Sequence, residues 1–297
     1  MKKTFIMLHI AVILAGFTGV FGKLISLNEY TLTLYRTLFS FLFLALIVWI
    51  RRPHFRYPAG NIWQMSRAGL LIATHWVFFY ASIKYSNVSV GVVCYCLTSF
   101  FTAFLAPMVN KKPFNITELL LSALTLAGIG LIFHFDTSFR TGIVLGVISS
   151  FLASLYTIFN ERLVKLYDAG VINMYQMLAG SVALAVLLPV YLNFFPSDKI
   201  VPGITDTLYL LLLSLFCTVG LYVLVAEVLK KISAFTVNLS FNLEPVYSIL
   251  LAMVLFNESR QLNISFYGGL LIIIISVILQ AGLSQRKTSA AGRAQVS

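Results

Sequence analysis

One acidic side chain interrupts an otherwise uncharged run from Ile232 to Asn257: Glu244. A helix starting near Phe235 would carry Glu244 about 14 Å along its axis, close to the bilayer midplane. A charge at that depth costs about 2.5–3.5 kcal/mol and belongs against a bundle interior or a wet cavity. A carboxyl there can carry a proton or hold a cationic group; it can also simply hydrogen-bond a neighbouring helix. Pro245 has no amide hydrogen, which loosens the local ladder and frees carbonyls for polar partners. Asn238 and Asn242, four residues apart, share a helix face, whereas Glu244 points about 200° away from Asn242. The two amides can glue helices together or touch a solute. Arg36 lies about 9 Å inside the run that starts at Tyr30. It can attract a carboxylate, or its long stem can snorkel to the outer interface; a snorkelling or structural role is the expected one. Gln176 is its neutral counterpart at a slide of 140 residues.

His75 and Phe79 share a face at four-residue spacing, as do Trp76 and Tyr80. With Tyr95 and Tyr156 these rings can wall a cavity and stack on a substrate or cation; an interfacial aromatic belt is the other reading. His9 and His134 fit packing better than proton relay. Gly142, Gly146, Ser150 and Ser154 recur every fourth residue, a spacing that lets helices approach closely and a candidate rocking surface. The candidate substrate-binding set is Glu244, Asn242, Asn238, His75, Trp76, Tyr80, Tyr95, Tyr156, Arg36 and Gln176.

The elements that position these residues follow from hydropathy. The chain has 297 residues, 59% hydrophobic and 10% charged, against about 25% charged in a soluble domain. Mean hydropathy is +0.92. Runs with at most one charge occupy 4–22, 30–50, 68–83, 85–110, 119–135, 141–160, 169–197, 207–226, 232–257 and 261–285. Each approaches the roughly 20 apolar residues a membrane-spanning helix needs, so ten transmembrane helices are expected. The first is no cleaved signal peptide: it lacks a small-residue cleavage motif and nine more spans follow. With a cytoplasmic N-terminus, fifteen of the 21 Lys and Arg fall on the inner side, five on the outer, and Arg36 stays in the membrane. That asymmetry places both termini in the cytoplasm and explains the net charge of +11 without a nucleic-acid partner. Cys94, Cys96 and Cys217 lie in apolar runs and form neither a disulfide framework nor a metal spacing.

A slide of 145 residues lays Ala81–Val109 on Ala226–Val254, with Met108-Val109 on Met253-Val254. The expected organisation is a first five-helix repeat over 1–138, a second over 139–283, and a disordered cytoplasmic tail over 284–297. Five crossings per half invert the second half, the plan of many secondary transporters with a midplane site.

Four stretches then resemble the drug/metabolite transporter superfamily in its ten-helix EamA-like branch: IAVILAGFTGVFGKLI, TLTLYRTLFSFLFLAL with Arg36, GIVLGVISSFLASLYTIFNERL, and NLEPVYSILLAMVLFNESRQLNISFYGGLLIIIISVIL from Asn242. The last matches the family's Pro-bearing ninth helix, followed by Glu258 and by a tenth helix with Gly268 and Gly269. The first half departs from this pattern, with Phe100 opposite Pro245 and Lys111-Lys112-Pro113 in the region of Glu258. The resemblance implies an all-α integral membrane protein of two inverted repeats. It also implies secondary-active transport of a small metabolite by alternating access, most directly export of amino acids or related compounds across the cell inner membrane. A facilitative channel-like permease and a lipid flippase stand as alternatives. A membrane-embedded enzyme fits poorly: there is no His-Glu-x-x-His, no Gly-x-Ser-x-Gly and no paired carboxylates in the spans. No phosphate-cradling loop predicts ATP hydrolysis, and no cofactor or metal is expected. The expected partners are a small-molecule substrate, the lipid bilayer and protons as a candidate coupling ion, in a monomer or homodimer.

Overall fold

The computed structural model describes residues 2–51, 57–111, 113–134, 139–257, 264, 265 and 267–279. Glu258, Arg260, the expected repeat boundary at 138 and the tail lie outside the described residues, as does the side chain of His134.

The helices are α1 (Lys2–Leu24), α2 (Glu29–Arg51), α3 (Ala59–Lys84), α4 (Val88–Tyr95), α5 (Leu97–Asn110), α6 (Ile116–His134), α7 (Arg140–Leu163), α8 (Ala169–Phe194), α9 (Ile204–Ser214), α10 (Leu221–Leu229), α11 (Ala234–Phe241) and α12 (Glu244–Phe256). A last helix, α13, covers Tyr267–Leu279. A π-helical turn, Leu215–Gly220, joins α9 to α10. Among the described residues seven spans are long and apolar enough to cross a membrane, with α4–α5, α9–α10 and α11–α12 each counting as one. The shorter apolar helices α6 and α13 and the more polar α3 bring the crossings among the described residues to ten. The protein is therefore an all-α multi-pass membrane protein of two inverted five-helix repeats, α1–α6 and α7–α13.

The third span begins earlier than its apolar run, at Ala59 rather than Ala68. Gln64 and Arg67 are good helix formers, so the helix continues out of the apolar stretch instead of ending with it.

The fourth and ninth spans are broken alike. Asn87 caps α4 by accepting from the Val90 amide at 2.8 Å, and Ser233 caps α11 by accepting from Thr236 at 3.3 Å. Backbone breaks follow at Cys96 and at Asn242-Leu243. Both spans then end on left-handed residues, Lys111 and Asn257. These landmarks superpose at a slide of 146 residues, one more than the pairwise alignment of the sequence predicts. Pro245 stands in the first turn of α12, where its missing amide hydrogen costs nothing; the break at Cys96 forms without a proline. Hydroxyls take up carbonyls near that break: Ser99 donates to Cys96 O at 2.9 Å and Thr102 to Thr98 O at 2.6 Å. Backbone at membrane depth needs such internal partners.

The repeats interleave. α2 packs on α8; α3 packs on α7 while α1 packs on α9 and α10; α4 and α5 pack on α7 while α1 also packs on α11 and α12. Each of these contacts has its counterpart when the halves are exchanged. The expected small-residue stripe makes the closest of them: Gly146 meets Cys94, and Ser150 donates to Cys94 O at 2.7 Å.

On the face opposite the N-terminus, a polar latch ties the repeats. Asp206 accepts from the Ser26 amide at 2.9 Å and the Ser26 hydroxyl at 2.6 Å, and pairs with Lys199 at 2.9 Å. Asp206→Asn removes the ionic half of this latch. It is expected to raise several-fold the rate at which an impermeant thiol reagent, added from that face, labels Cys217 below it. An unchanged rate would show that the latch does not gate access.

Candidate functional site

α2 turns Thr33, Arg36, Thr37 and Ser40 inward, toward α3, α8 and the π turn. Arg36 is 1% exposed, so the expected snorkelling does not occur. Its Nε donates to Thr218 Oγ1 at 2.8 Å, Nη1 to Tyr80 Oη at 2.7 Å, and Nη2 to the Cys217 carbonyl at 3.0 Å. The guanidinium carbon sits 3.7 Å from the Trp76 ring centroid. Three directed acceptors and an aromatic face hold the cation at depth, which explains why it does not reach for water. Two of the three acceptors, Thr218 Oγ1 and Cys217 O, lie in the π turn, a distortion often found at functional sites. Three bonds leave two of the five guanidinium N–H donors for another partner.

Glu244 opens α12 and is 4% exposed. Its carboxylate makes no hydrogen bond and no ion pair among the described residues. Together with Arg36 it lines a central cavity of about 30 Å³, whose wall includes His75, Trp76, Tyr95 and Tyr222. Arg36 comes from the first repeat and Glu244 from the second. The volume holds about one water molecule, so a metabolite enters only when the helices part.

The aromatic wall is one connected cluster. Tyr222 meets Trp76 edge-on at 5.4 Å and Tyr156 at 5.9 Å; His75 lies 5.5 Å from Tyr95. His75 Nδ1 is held by Ser149, through its carbonyl at 2.9 Å and hydroxyl at 2.8 Å. These rings are deep in the bundle, not an interfacial belt.

Of the ten candidate residues, the structure brings Glu244, Arg36, His75, Trp76 and Tyr95 to the cavity wall. Tyr80 stands behind Arg36 as its hydrogen-bond acceptor. Tyr156 donates to Gln176 Oε1 at 3.2 Å, and Gln176 Nε2 donates to Asn160 at 3.0 Å. That pair forms a neutral cluster beside the cavity, and the backbone of Gln176 rests on Gly69, where a side chain would clash. Asn238 and Asn242 face away from the cavity: Asn238 Nδ2 donates to Thr102 at 2.8 Å, and Asn242 Nδ2 to Ser99 at 3.1 Å and Thr125 at 3.4 Å. They join the two broken spans to each other and to α6, on the face the helical period separates from Glu244. His9 meets Tyr247, Nε2 to Oη at 3.0 Å.

Sequence reading missed Ala15, Thr18, Cys217, Leu221, Tyr222 and Phe241 on the wall. Tyr222 is the one with a legible signal, an aromatic deep in the eighth span. The others are single hydroxyl, thiol and apolar residues in apolar runs, indistinguishable from packing residues.

Comparison with known proteins bears on the whole chain. A model of the EamA-like transporter family matches residues 2–134 and again residues 140–281. An uncharacterized transporter of Clostridium kluyveri is 25% identical over 208 residues, 67% of this chain. The uncharacterized transporter YdfC of Bacillus subtilis is 26% identical over 197 residues, 65% of this chain. The chain spans 65% and 63% of the length of these two relatives. An uncharacterized transporter of Archaeoglobus fulgidus is 24% identical over 287 residues, 92% of this chain and 95% of that relative. A solved crystal structure, 14% identical, superposes with a TM-score of 0.72 over 96% of this chain and 99% of its own. At that identity the likeness concerns the fold alone.

Proposed function

The chain belongs to the EamA-like transporter family, and from that premise we propose that it carries a small zwitterionic metabolite, an amino acid or close relative, by alternating access of the central cavity. The observation that carries this reading is one cavity bearing an anchored guanidinium from the first repeat and an unpartnered carboxylate from the second. The free N–H donors of Arg36 suit the substrate carboxylate, Glu244 suits its ammonium, and Trp76, Tyr95 and Tyr222 cover the side chain. Glu244 is also the group that would exchange a proton when the substrate leaves, coupling export to the proton gradient. The broken spans α4–α5 and α11–α12 meet beside the cavity, where rocking of one repeat on the other would open either side. In this reading both termini lie in the cytoplasm of a cell whose inner membrane the protein spans, which the Lys and Arg asymmetry supports.

The test is thermal stabilisation of the purified protein by matched compounds. An amino acid should raise the melting temperature in a concentration-dependent way, by about 2.7 kcal/mol of stability at a hundred times its Kd. Its decarboxylated amine and its N-acetyl derivative each lack one charge and should not. Equal stabilisation by all three would overturn the two-charge reading. Trp76→Leu removes the face under Arg36 and should weaken binding of the same amino acid about tenfold, the equivalent of about 1.4 kcal/mol. Wild-type affinity in a folded variant would remove Trp76 from the site.

A further inference from the structure

A second recess lies far from the cavity, on the N-terminal face. Here the early start of α3 matters: Trp63 and Arg67 precede the apolar stretch and so stand at the level of the membrane–water boundary, where Trp and Arg are favoured. Between this end of α3 and the last turns of α7 runs a groove of about 680 Å³, within the size range of small-molecule sites. Arg67 and Arg162 line it near these helix ends, and Leu70, Leu71 and Phe159 line it about one helical turn further into the spans. Among the described residues no acidic side chain lines it. The Arg162 guanidinium is aimed by its neighbours: Nε donates to Asn110 Oδ1 at 2.8 Å, and Nη2 to the same oxygen at 2.6 Å and to Val109 O at 2.5 Å. Arg67 makes no hydrogen bond or ion pair among the described residues. Nothing in the transport reading uses either cation.

We propose that this groove binds one anionic phospholipid, its phosphodiester between Arg67 and Arg162 and one acyl chain laid along Leu70, Leu71 and Phe159. The polarity gradient fits that molecule: two cations at the headgroup level, then an apolar wall that faces hydrocarbon. A free phosphate would gain only the two arginines. A second copy docking here about a twofold axis would bring like-charged arginines together. An acyl chain gains no hydrophobic transfer on binding, because lipid is already its solvent. Selectivity therefore rests on the headgroup, and each cation near the surface should shift the preference for anionic over zwitterionic lipid about fivefold.

The experiment reconstitutes the full chain in nanodiscs of equal phosphatidylglycerol and phosphatidylcholine and counts retained lipids by native mass spectrometry. Wild type should retain phosphatidylglycerol in preference. Arg67→Gln should cut that preference about fivefold, and adding Arg162→Gln should abolish it. Thr74→Trp, which fills the groove from an exposed position, should reduce retention of the lipid while keeping both charges. Glycerol 3-phosphate in solution should leave the melting temperature unchanged. Equal retention of the two lipids by wild type would overturn the proposal. So would a wild-type preference in a folded Arg67→Gln or Thr74→Trp variant, stabilisation by glycerol 3-phosphate equal to that by the lipid, or a dimer that hides Trp63 from quenchers in the bilayer.

Discussion

Glu244→Gln is expected to lower amino-acid transport in proteoliposomes at least about tenfold, a loss of about 1.4 kcal/mol or more, and to flatten its response to an imposed pH gradient. The amide has nearly the shape of the carboxyl but cannot carry the charge or exchange the proton. Folding should survive. The carboxylate makes no hydrogen bond among the described residues, so none is lost, and removing a charge held in the bundle relieves its desolvation. The variant should melt at or above the wild-type temperature. This combination separates a working group from a structural one, because a structural carboxyl would lose stability together with activity. A variant with the wild-type rate and pH response would leave Glu244 outside the transport cycle, and the proton-coupled reading would fail with it.

Arg36→Met should do the reverse and damage fold and function together. The thioether fills part of the space but donates nothing. The Tyr80 hydroxyl, the Thr218 hydroxyl and the Cys217 carbonyl lose their partner, and each buried group left unmet costs about 1–3 kcal/mol. Thr218 keeps its own bond to the Leu213 carbonyl and the Tyr80 hydroxyl can rotate, so a net loss of about 3 kcal/mol is expected, roughly 6–12 °C in melting temperature. Transport should fall to background. Arg36→Lys keeps the charge but loses the planar fork and much of the stacking on Trp76, so it should retain part of the stability and little of the affinity. A stable Arg36→Met protein that still binds an amino acid would place the carboxylate partner elsewhere.

Much of the architecture was legible in the residues. The charge-free runs marked the crossings that the helices occupy, and the depth of Glu244 followed from its distance along one of them. The sense of the ninth-span break followed from Pro245. Where the reading fell short, the cause was local. The slide between halves was off by one residue because few identities mark it, whereas the caps at Asn87 and Ser233 and the left-handed ends at Lys111 and Asn257 both set it at 146. The third span ran past its apolar stretch because helix propensity, and not hydropathy, sets where a helix ends.

Arg36 shows the deeper limit. A cation with a long stem six residues inside a span is read as snorkelling, since in isolation that is its cheapest route to polar partners. Here its partners come from α3 and from the π turn in the eighth span, and nothing in LFCTVG announces a widened turn. The split of Glu244 from Asn238 and Asn242 followed from the helical period, but which of the two faces was wet did not.

The residues alone decided how many times the chain crosses and which charges lie within its spans, because lipid accepts only long apolar helices and sets a high cost on each exception. The pairing of helices, the anchoring of Arg36 and the meeting of two charges from opposite repeats were decided only by tertiary structure. In water a buried helix face is marked by its contrast with a polar one. In a membrane both faces are apolar, so the pattern does not say which neighbour each face will meet.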